Sequence, residues 1–66
     1  MAFESRVLSV VESVTDVRAY FFQSTMFLES EDSALAVKVL KALESDLTCG
    51  IVFGKAGQSE TYYDFV

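Results

Sequence analysis

The feature that most restricts the possible folds of this chain is that it can form neither an intrachain disulfide bond nor a structural zinc site of the usual type. Its 66 residues must therefore be held together by a hydrophobic core alone. Cys49 is the single cysteine, so an intrachain disulfide cannot form. Histidine is absent, so a zinc site of the usual Cys/His type lacks ligands. A chain of this size buries only about 60% of its unfolded surface. We therefore expect one small domain over residues 1–66, with a small net stability.

The composition argues against several classes of function. A catalytic dyad or triad built on histidine cannot exist in a chain without that residue. Ten acidic side chains outnumber five basic ones and give a net charge of −5, which disfavours a basic nucleic-acid-binding surface. No apolar run approaches the length of a membrane-spanning helix, which is about 20 residues. We expect no enzymatic activity, no cofactor, no metal, no direct nucleic-acid binding and no membrane insertion.

An apolar stripe with helical spacing runs through residues 3–17. Its members fall on one side of a helical projection: Phe3, Val7, Val10, Val11, Val14 and Val17. Serine and acidic residues occupy the other side, which is the pattern of an amphipathic helix. Valine has a low helix propensity. A strand over residues 6–13, paired with the next segment in the order ββαββ, is therefore the alternative.

Residues 17–29 are rich in aromatic and β-branched types, which predicts a strand. Apolar residues fall on both of its faces, so the strand would be central, or would turn one face to the core and one to an interface. If the strand is continuous, one face carries Tyr20, Phe22, Met26 and Leu28. The other face then carries Val17, Ala19, Phe21 and Phe27.

Residues 31–45 are predicted to form a second helix. Ser30 is a suitable N-cap, and the acids that follow it, Glu31 and Asp32, would suit the first turn. Apolar residues recur at helical spacing, with lysines on the opposite side. The apolar set is Ala36, Val39, Leu40, Leu43 and Leu47.

Two short strands are predicted over residues 48–54 and 59–66, joined by a glycine-containing turn over 54–58 into an antiparallel hairpin. In the last strand Tyr63 and Phe65 would face one way, and Glu60, Tyr62 and Asp64 the other. The expected fold class is α+β. A small antiparallel sheet of about three strands would pack against one or two helices.

Motifs that suggest chemistry have simpler explanations. The segment from Gly50 to Lys55 departs from a phosphate-binding loop, because its spacing is one residue short and Ala56 replaces the required serine or threonine. The acids at 29, 31 and 32 suit the start of a helix. Cys49 lies beside an apolar strand and is expected to be a small buried hydrophobe.

Nine aromatic residues, six Phe and three Tyr, are more than so small a core can hide. We expect another copy of the chain, most simply in a homodimer, or a partner protein to cover part of them.

The leading hypothesis is a non-enzymatic, small acidic protein-interaction module. It would be an adaptor or inhibitor of another protein complex, of the kind that a virus or mobile element encodes. Its aromatic residues would anchor the contact, and its acids would steer a basic partner. The candidate contact residues are Tyr62, Tyr63, Phe65, Phe21, Phe22, Glu60, Asp64, Glu29, Glu31 and Asp32.

Two further classes of function stay open. One is an acidic nucleic-acid mimic that blocks a basic groove. The other is a small-molecule-binding or structural subunit with its site at a homo-oligomer interface. A concave pocket would favour small-molecule binding, whereas a flat aromatic patch edged by acids would favour protein binding.

The start of the sequence, with Glu4 where a secretory signal carries bases, leads us to expect a cytoplasmic location with Cys49 reduced.

Overall fold

The computed structural model describes residues 2–46, 50–56 and 60–65. Two helices and four strands follow one another as α1 (Ala2–Val14), β1 (Ala19–Phe22), β2 (Thr25–Leu28), α2 (Ser33–Asp46), β3 (Ile51–Ala56) and β4 (Glu60–Phe65). The strands form one antiparallel sheet in the order β1-β2-β4-β3. The predicted α+β class, with an antiparallel sheet packed against helices, is confirmed.

Both helices pack on the same face of the sheet. Their apolar stripes and three strand residues form one fully buried cluster, which consists of Val7, Val11, Met26, Leu28, Val39, Leu43 and Tyr63. The helices also contact each other directly. The fold therefore has two layers, with the core between the helices and one face of the sheet.

The N-terminal segment is a helix, so the strand alternative for residues 6–13 is wrong. Burial of Val7 and Val11 against the sheet outweighs the low helix propensity of valine. The helix ends earlier than the stripe predicted. Beyond it, the Val17 amide donates a hydrogen bond to the Thr15 hydroxyl at 3.1 Å. Neither helix, over the part of the chain that the structure describes, is long and apolar enough to cross a membrane.

The predicted strand 17–29 is wrong, because the segment forms a hairpin of two strands. The chain reverses at Gln23 and Ser24, whose φ angles of 52° and 69° are those of a two-residue turn with a left-handed backbone. Phe22 consequently pairs with Thr25. The reversal also changes which residues share a face. Tyr20 and Phe22 now lie on the same side as Thr25 and Phe27, whereas Met26 and Leu28 turn to the core.

Helix α2 begins two residues later than predicted, because Asp32 rather than Ser30 caps it. The Asp32 carboxylate accepts the amide of Ala34 at 2.9 Å, as an N-cap does. The Ser30 hydroxyl instead accepts the Asp32 amide at 3.1 Å, which forms a turn before the helix. Ala36, Val39 and Leu43 are buried as the spacing predicted. Leu47 lies outside the described residues.

The C-terminal hairpin is confirmed as an antiparallel pair, but β3 extends further along the chain than predicted. The sequence places Gly54, Lys55 and Ala56 in the turn, whereas in the structure they belong to β3. They pair with Tyr62, Thr61 and Glu60 respectively. The predicted residues 48–49 and 57–59, which include Cys49, lie outside the described part of the chain, as does Val66. The inward position of Tyr63 agrees with the predicted alternation along β4.

The central side chain of the core makes the stability of this fold sensitive to alkaline pH. Burial raises the pKa of Tyr63 from 10.0 to about 12. Because the pKa of Tyr63 is higher in the folded than in the unfolded protein, the protonated hydroxyl favours the folded state. This contribution to stability is complete below about pH 10 and is lost as pH rises towards 12. The free energy of unfolding should fall by about 1.4 kcal/mol at about pH 11, and by about 2–3 kcal/mol above pH 12.

Chemical denaturation at about pH 9 and about pH 11 measures this loss. Tyr63→Phe is the control, because it keeps the ring and removes the ionisable group. Its free energy of unfolding should change less between the two pH values. An equal loss in the Tyr63→Phe variant would assign the pH sensitivity to other groups.

Candidate interaction face

The face of the sheet that points away from the helices is covered by no other described element. We call it the open face. It consists of the outward-facing residues of β1, β2 and β4 and of the two positions that flank β1 and β2, namely Arg18, Tyr20, Phe22, Thr25, Phe27, Glu29, Glu60, Tyr62 and Asp64. Its centre is aromatic, and its acids lie towards the ends of the strands.

An aromatic row crosses the middle of the open face. The register aligns Tyr20 with Phe27 and Phe27 with Tyr62, so the three residues occupy neighbouring positions on β1, β2 and β4. The Tyr20 and Phe27 rings are stacked, with centroids 5.5 Å apart and planes 16° apart. Phe22 lies beside the row and is 61% exposed, the largest exposed fraction among the described large apolar residues. The row thus provides an aromatic surface at the centre of the open face.

The Tyr62 ring lies over Gly54 of the neighbouring strand. A Cβ atom at Gly54 would lie 2.7 Å from the Tyr62 hydroxyl oxygen and 2.9 Å from its Cζ atom, which leaves no room for it. The glycine therefore lets the ring lie flat across β3 and β4. This cross-strand packing of an aromatic ring on a glycine compensates for the missing side chain.

Two carboxylates on the open face are held by neutral hydroxyl groups. The Tyr20 hydroxyl donates a hydrogen bond to Glu60. The Thr25 hydroxyl donates to Asp64 at 2.7 Å across the β2–β4 pair. Each bond fixes the direction of its carboxylate, and neither donor carries a charge that would cancel the negative one. The open face is therefore both apolar and acidic.

A guanidinium group adds the one basic side chain of the open face. Arg18 lies 5.4 Å from the centre of the Tyr20 ring, at the distance of a cation–π contact. It also approaches the Glu29 carboxylate at 3.5 Å. The pKa of Tyr20 is raised, first by its hydrogen bond to Glu60, then by burial and by the carboxylates of Glu60 and Glu29, while Arg18 opposes the shift. This direction is the one expected for a hydroxyl that donates to a carboxylate, because the hydrogen bond favours the protonated form.

The structure divides the residues that the sequence suggested as contacts. Five of them lie together on the open face: Phe22, Glu29, Glu60, Tyr62 and Asp64. Glu31 and Asp32 lie at the start of α2, where the second of these acids caps the helix. They belong to a different part of the surface.

The other three suggested contacts face the helices. Tyr63 is 0% exposed, and its hydroxyl donates to the Ala36 carbonyl oxygen at 2.9 Å, so it cannot contact a partner of the folded chain. Phe21 and Phe65 are half-buried and pack against the core cluster. Their rings contact each other with centroids 6.0 Å apart. These three side chains stabilise the fold rather than form the open face.

Four residues of the open face are not among the contact candidates that the sequence suggests. They are Arg18, Tyr20, Thr25 and Phe27. Tyr20 and Phe27 fall on opposite faces of the single strand that the sequence predicts for this segment. The polar pair Gln23-Ser24 between two apolar runs was the available signal, but it lacks the glycine or asparagine that marks such a turn.

Two shallow depressions lie elsewhere on the surface. One, of about 170 Å³, is formed by the end of α1, the start of β1 and the connection between them, which contributes Thr15 and Val17. The other, of about 180 Å³, is lined by Phe3, Glu4, Phe21, Ser24 and Phe65. Both are smaller than the roughly 300–1,000 Å³ of typical small-molecule sites. Among the described residues, no group of three His, Cys, Asp or Glu could hold a metal ion.

No protein-family model matches this chain, and neither a curated protein nor a solved structure shows significant similarity to it. The function of the open face has to be inferred from its own chemistry.

Proposed function

We propose that the protein is a non-enzymatic interaction module that binds another protein through the open face and acts on it as an adaptor or inhibitor. The observation that carries this proposal is the uncovered aromatic row with Phe22 beside it. An apolar sheet face normally packs against another layer of structure. Here the only described layer lies on the opposite face of the sheet.

The exposed rings offer enough energy for a specific contact. Fully burying one Phe side chain is worth about 1.5–3 kcal/mol. Phe22 is 61% exposed, and the half-buried rings of Tyr20, Phe27 and Tyr62 add further apolar area beside it. Aromatic side chains at the centre of an interface commonly supply most of its binding energy.

The charge of the open face favours a basic partner. Three carboxylates, those of Glu29, Glu60 and Asp64, face one guanidinium, that of Arg18. The whole chain carries a net charge of −5, so the long-range field has the same sign. Such a field accelerates association with a positively charged surface and disfavours acidic partners.

Other classes of function have less support. The two depressions are small, and the absence of histidine removes the commonest general base. A nucleic-acid mimic would need acids spaced like phosphates, whereas rings occupy the centre of the open face between its acids. A cytoplasmic location suits the proposal, since the single thiol would stay reduced there.

A second copy of the chain is the competing occupant of the open face. Light scattering of the free protein at low and high salt decides between them. A monomer leaves the open face available to a different protein. A dimer that Phe22→Ser dissociates would assign the open face to self-association and contradict the proposed function.

Two matched variants test the proposal directly. Phe22→Ser removes an exposed ring from the open face, and Val37→Ser removes an exposed apolar side chain from the outer side of α2, where Val37 is 40% exposed. Each variant is first shown to unfold at the temperature of the parent protein. The parent and both variants then serve as bait in lysate of the source cells, and a protein that binds is purified and titrated by calorimetry.

We expect the parent and Val37→Ser to bind the purified partner equally. Phe22→Ser should weaken binding at least about tenfold, which corresponds to about 1.4 kcal/mol. Retention of full affinity by Phe22→Ser, or an equal loss in Val37→Ser, would contradict the proposal.

A further inference from the structure

We infer that the occupant of the open face is an amphipathic helix of the partner protein, with two basic side chains about two helical turns apart on the side that faces the sheet and apolar residues between them. This inference rests on the proposed function and names the chemistry of its partner. Three features of the open face lead to it. They are the fixed carboxylates, the spacing of these carboxylates along β4, and the fact that the backbone groups of the central strands are already hydrogen-bonded within the sheet.

Among the described residues, the two carboxylates of β4 are oriented by neutral neighbours and form no ion pair. Tyr20 and Thr25 donate hydroxyl hydrogen bonds to Glu60 and Asp64 respectively. By contrast, Asp46 on α2 forms an ion pair with Arg6 at 2.9 Å. Carboxylates held by neutral donors keep free lone pairs for further hydrogen bonds. A partner that covers them must supply cations, since a buried unpaired carboxylate is costly.

The spacing of these acids sets the spacing of the cations. Glu60 and Asp64 lie four residues apart on the same side of β4, with Tyr62 between them. At roughly 3.3 Å per residue their positions are about 13 Å apart. In a helix, residues seven or eight apart lie on one side and are about 10.5–12 Å apart along the axis. Lys or Arg at those two positions would reach both acids, with apolar residues between them over the Tyr62 ring.

A helix suits this surface better than an extended segment. The open face presents side chains, while the backbone groups of the central strands β2 and β4 are used within the sheet. An extended chain lying on the rings would bury its own amide and carbonyl groups without partners. A helix satisfies those groups internally and would add a third layer to the sheet.

A second copy of the chain meets an electrostatic obstacle at this surface. Two open faces in contact would bring together two sets of three carboxylates, with one guanidinium each. Contacts between like charges at an interface are unfavourable. Charge complementarity therefore favours a basic helix over another acidic copy.

The test uses two synthetic helical peptides as probes. Both carry the same apolar stripe of Leu and Ala, and they differ only at two positions seven apart, which are Lys in one peptide and Glu in the other. Each is titrated into the isotope-labelled full-length protein, and amide chemical shifts report the affinity and the place of binding. We expect the Lys peptide to bind and to shift resonances of β1, β2 and β4, and the Glu peptide to bind at least about tenfold more weakly.

A charge-matched pair of double variants isolates the role of the two acids. Glu60→Gln with Asp64→Asn removes both charges but keeps a carbonyl oxygen for each hydroxyl donor. Glu12→Gln with Glu44→Gln removes two charges from exposed acids on the helices. The first pair should weaken binding of the Lys peptide roughly tenfold and reduce its salt dependence, and the second should leave both nearly unchanged.

Three results would overturn the inference. They are equal binding of the two peptides, equal losses in the two double variants, and shifts confined to α1 and α2. The proposed function fails separately, because its own readout is the effect of Phe22→Ser on the purified partner. A partner that needs Phe22 but tolerates Glu60→Gln with Asp64→Asn would keep the proposed function and exclude the basic helix.

Discussion

Replacing Tyr63 with Ala is expected to remove most of the stability of the fold. Truncating a buried aromatic residue costs about 3–5 kcal/mol, and a chain of this length has only about 3–10 kcal/mol in total. Tyr63 is 0% exposed and lies in β4 between Met26 and Phe53. The Ala variant would lose this packing and the hydrogen bond to the Ala36 carbonyl oxygen.

Chemical denaturation followed by circular dichroism measures the loss. Tyr63→Phe keeps the packing and should cost only about 1 kcal/mol, the usual value of one hydrogen bond. Tyr62→Phe is the matched control on the open face, and it should change the free energy of unfolding by less than about 0.5 kcal/mol. If Tyr63→Ala unfolded at the same denaturant concentration as Tyr62→Phe, the assignment of the core to the helix-facing side of the sheet would be incorrect.

The second large effect is expected at Leu43. This side chain is 0% exposed and belongs to the core cluster, so Leu43→Ala should lower the free energy of unfolding by about 2–5 kcal/mol. Val37, on the same helix, is 40% exposed. Val37→Ala should therefore change the free energy of unfolding by less than about 0.5 kcal/mol.

Thermal unfolding of the two variants compares the two sides of α2 directly. Both substitutions shorten an aliphatic side chain to Ala, so the difference between them reports burial. Similar melting temperatures for the two variants would show that the buried side of the helix is not the one that carries Leu43.

The spacing of apolar residues was sufficient to predict the helices. Val7, Val11, Val39 and Leu43 recur at helical spacing, and all four are buried at the same core. The C-terminal hairpin followed from a change to strand-like alternation beside glycines. These features are predictable because only one side of each helix or strand is buried. The apolar residues on that side therefore recur at the spacing of the helix or strand.

The first hairpin and the capping residue were not predictable in the same way. Gln23 and Ser24 adopt positive φ angles that glycine or asparagine adopts at lower cost, so tertiary pairing rather than local preference imposes this turn. At the start of α2, Ser30 and Asp32 are both good N-caps, and only the path of the chain from β2 decides between them. The members of the open face depended on that turn, so the face was identified only in part.

The order of the strands has a consequence for how quickly the protein can fold. The hairpins β1–β2 and β3–β4 each join neighbouring segments, whereas the β2–β4 pair joins residues as distant as Thr25 and Asp64. Closing that long loop, which contains all of α2, must precede any gain from the contacts it brings together. We expect each hairpin to form early, and the joining of the two halves at β2 and β4 to set the refolding rate.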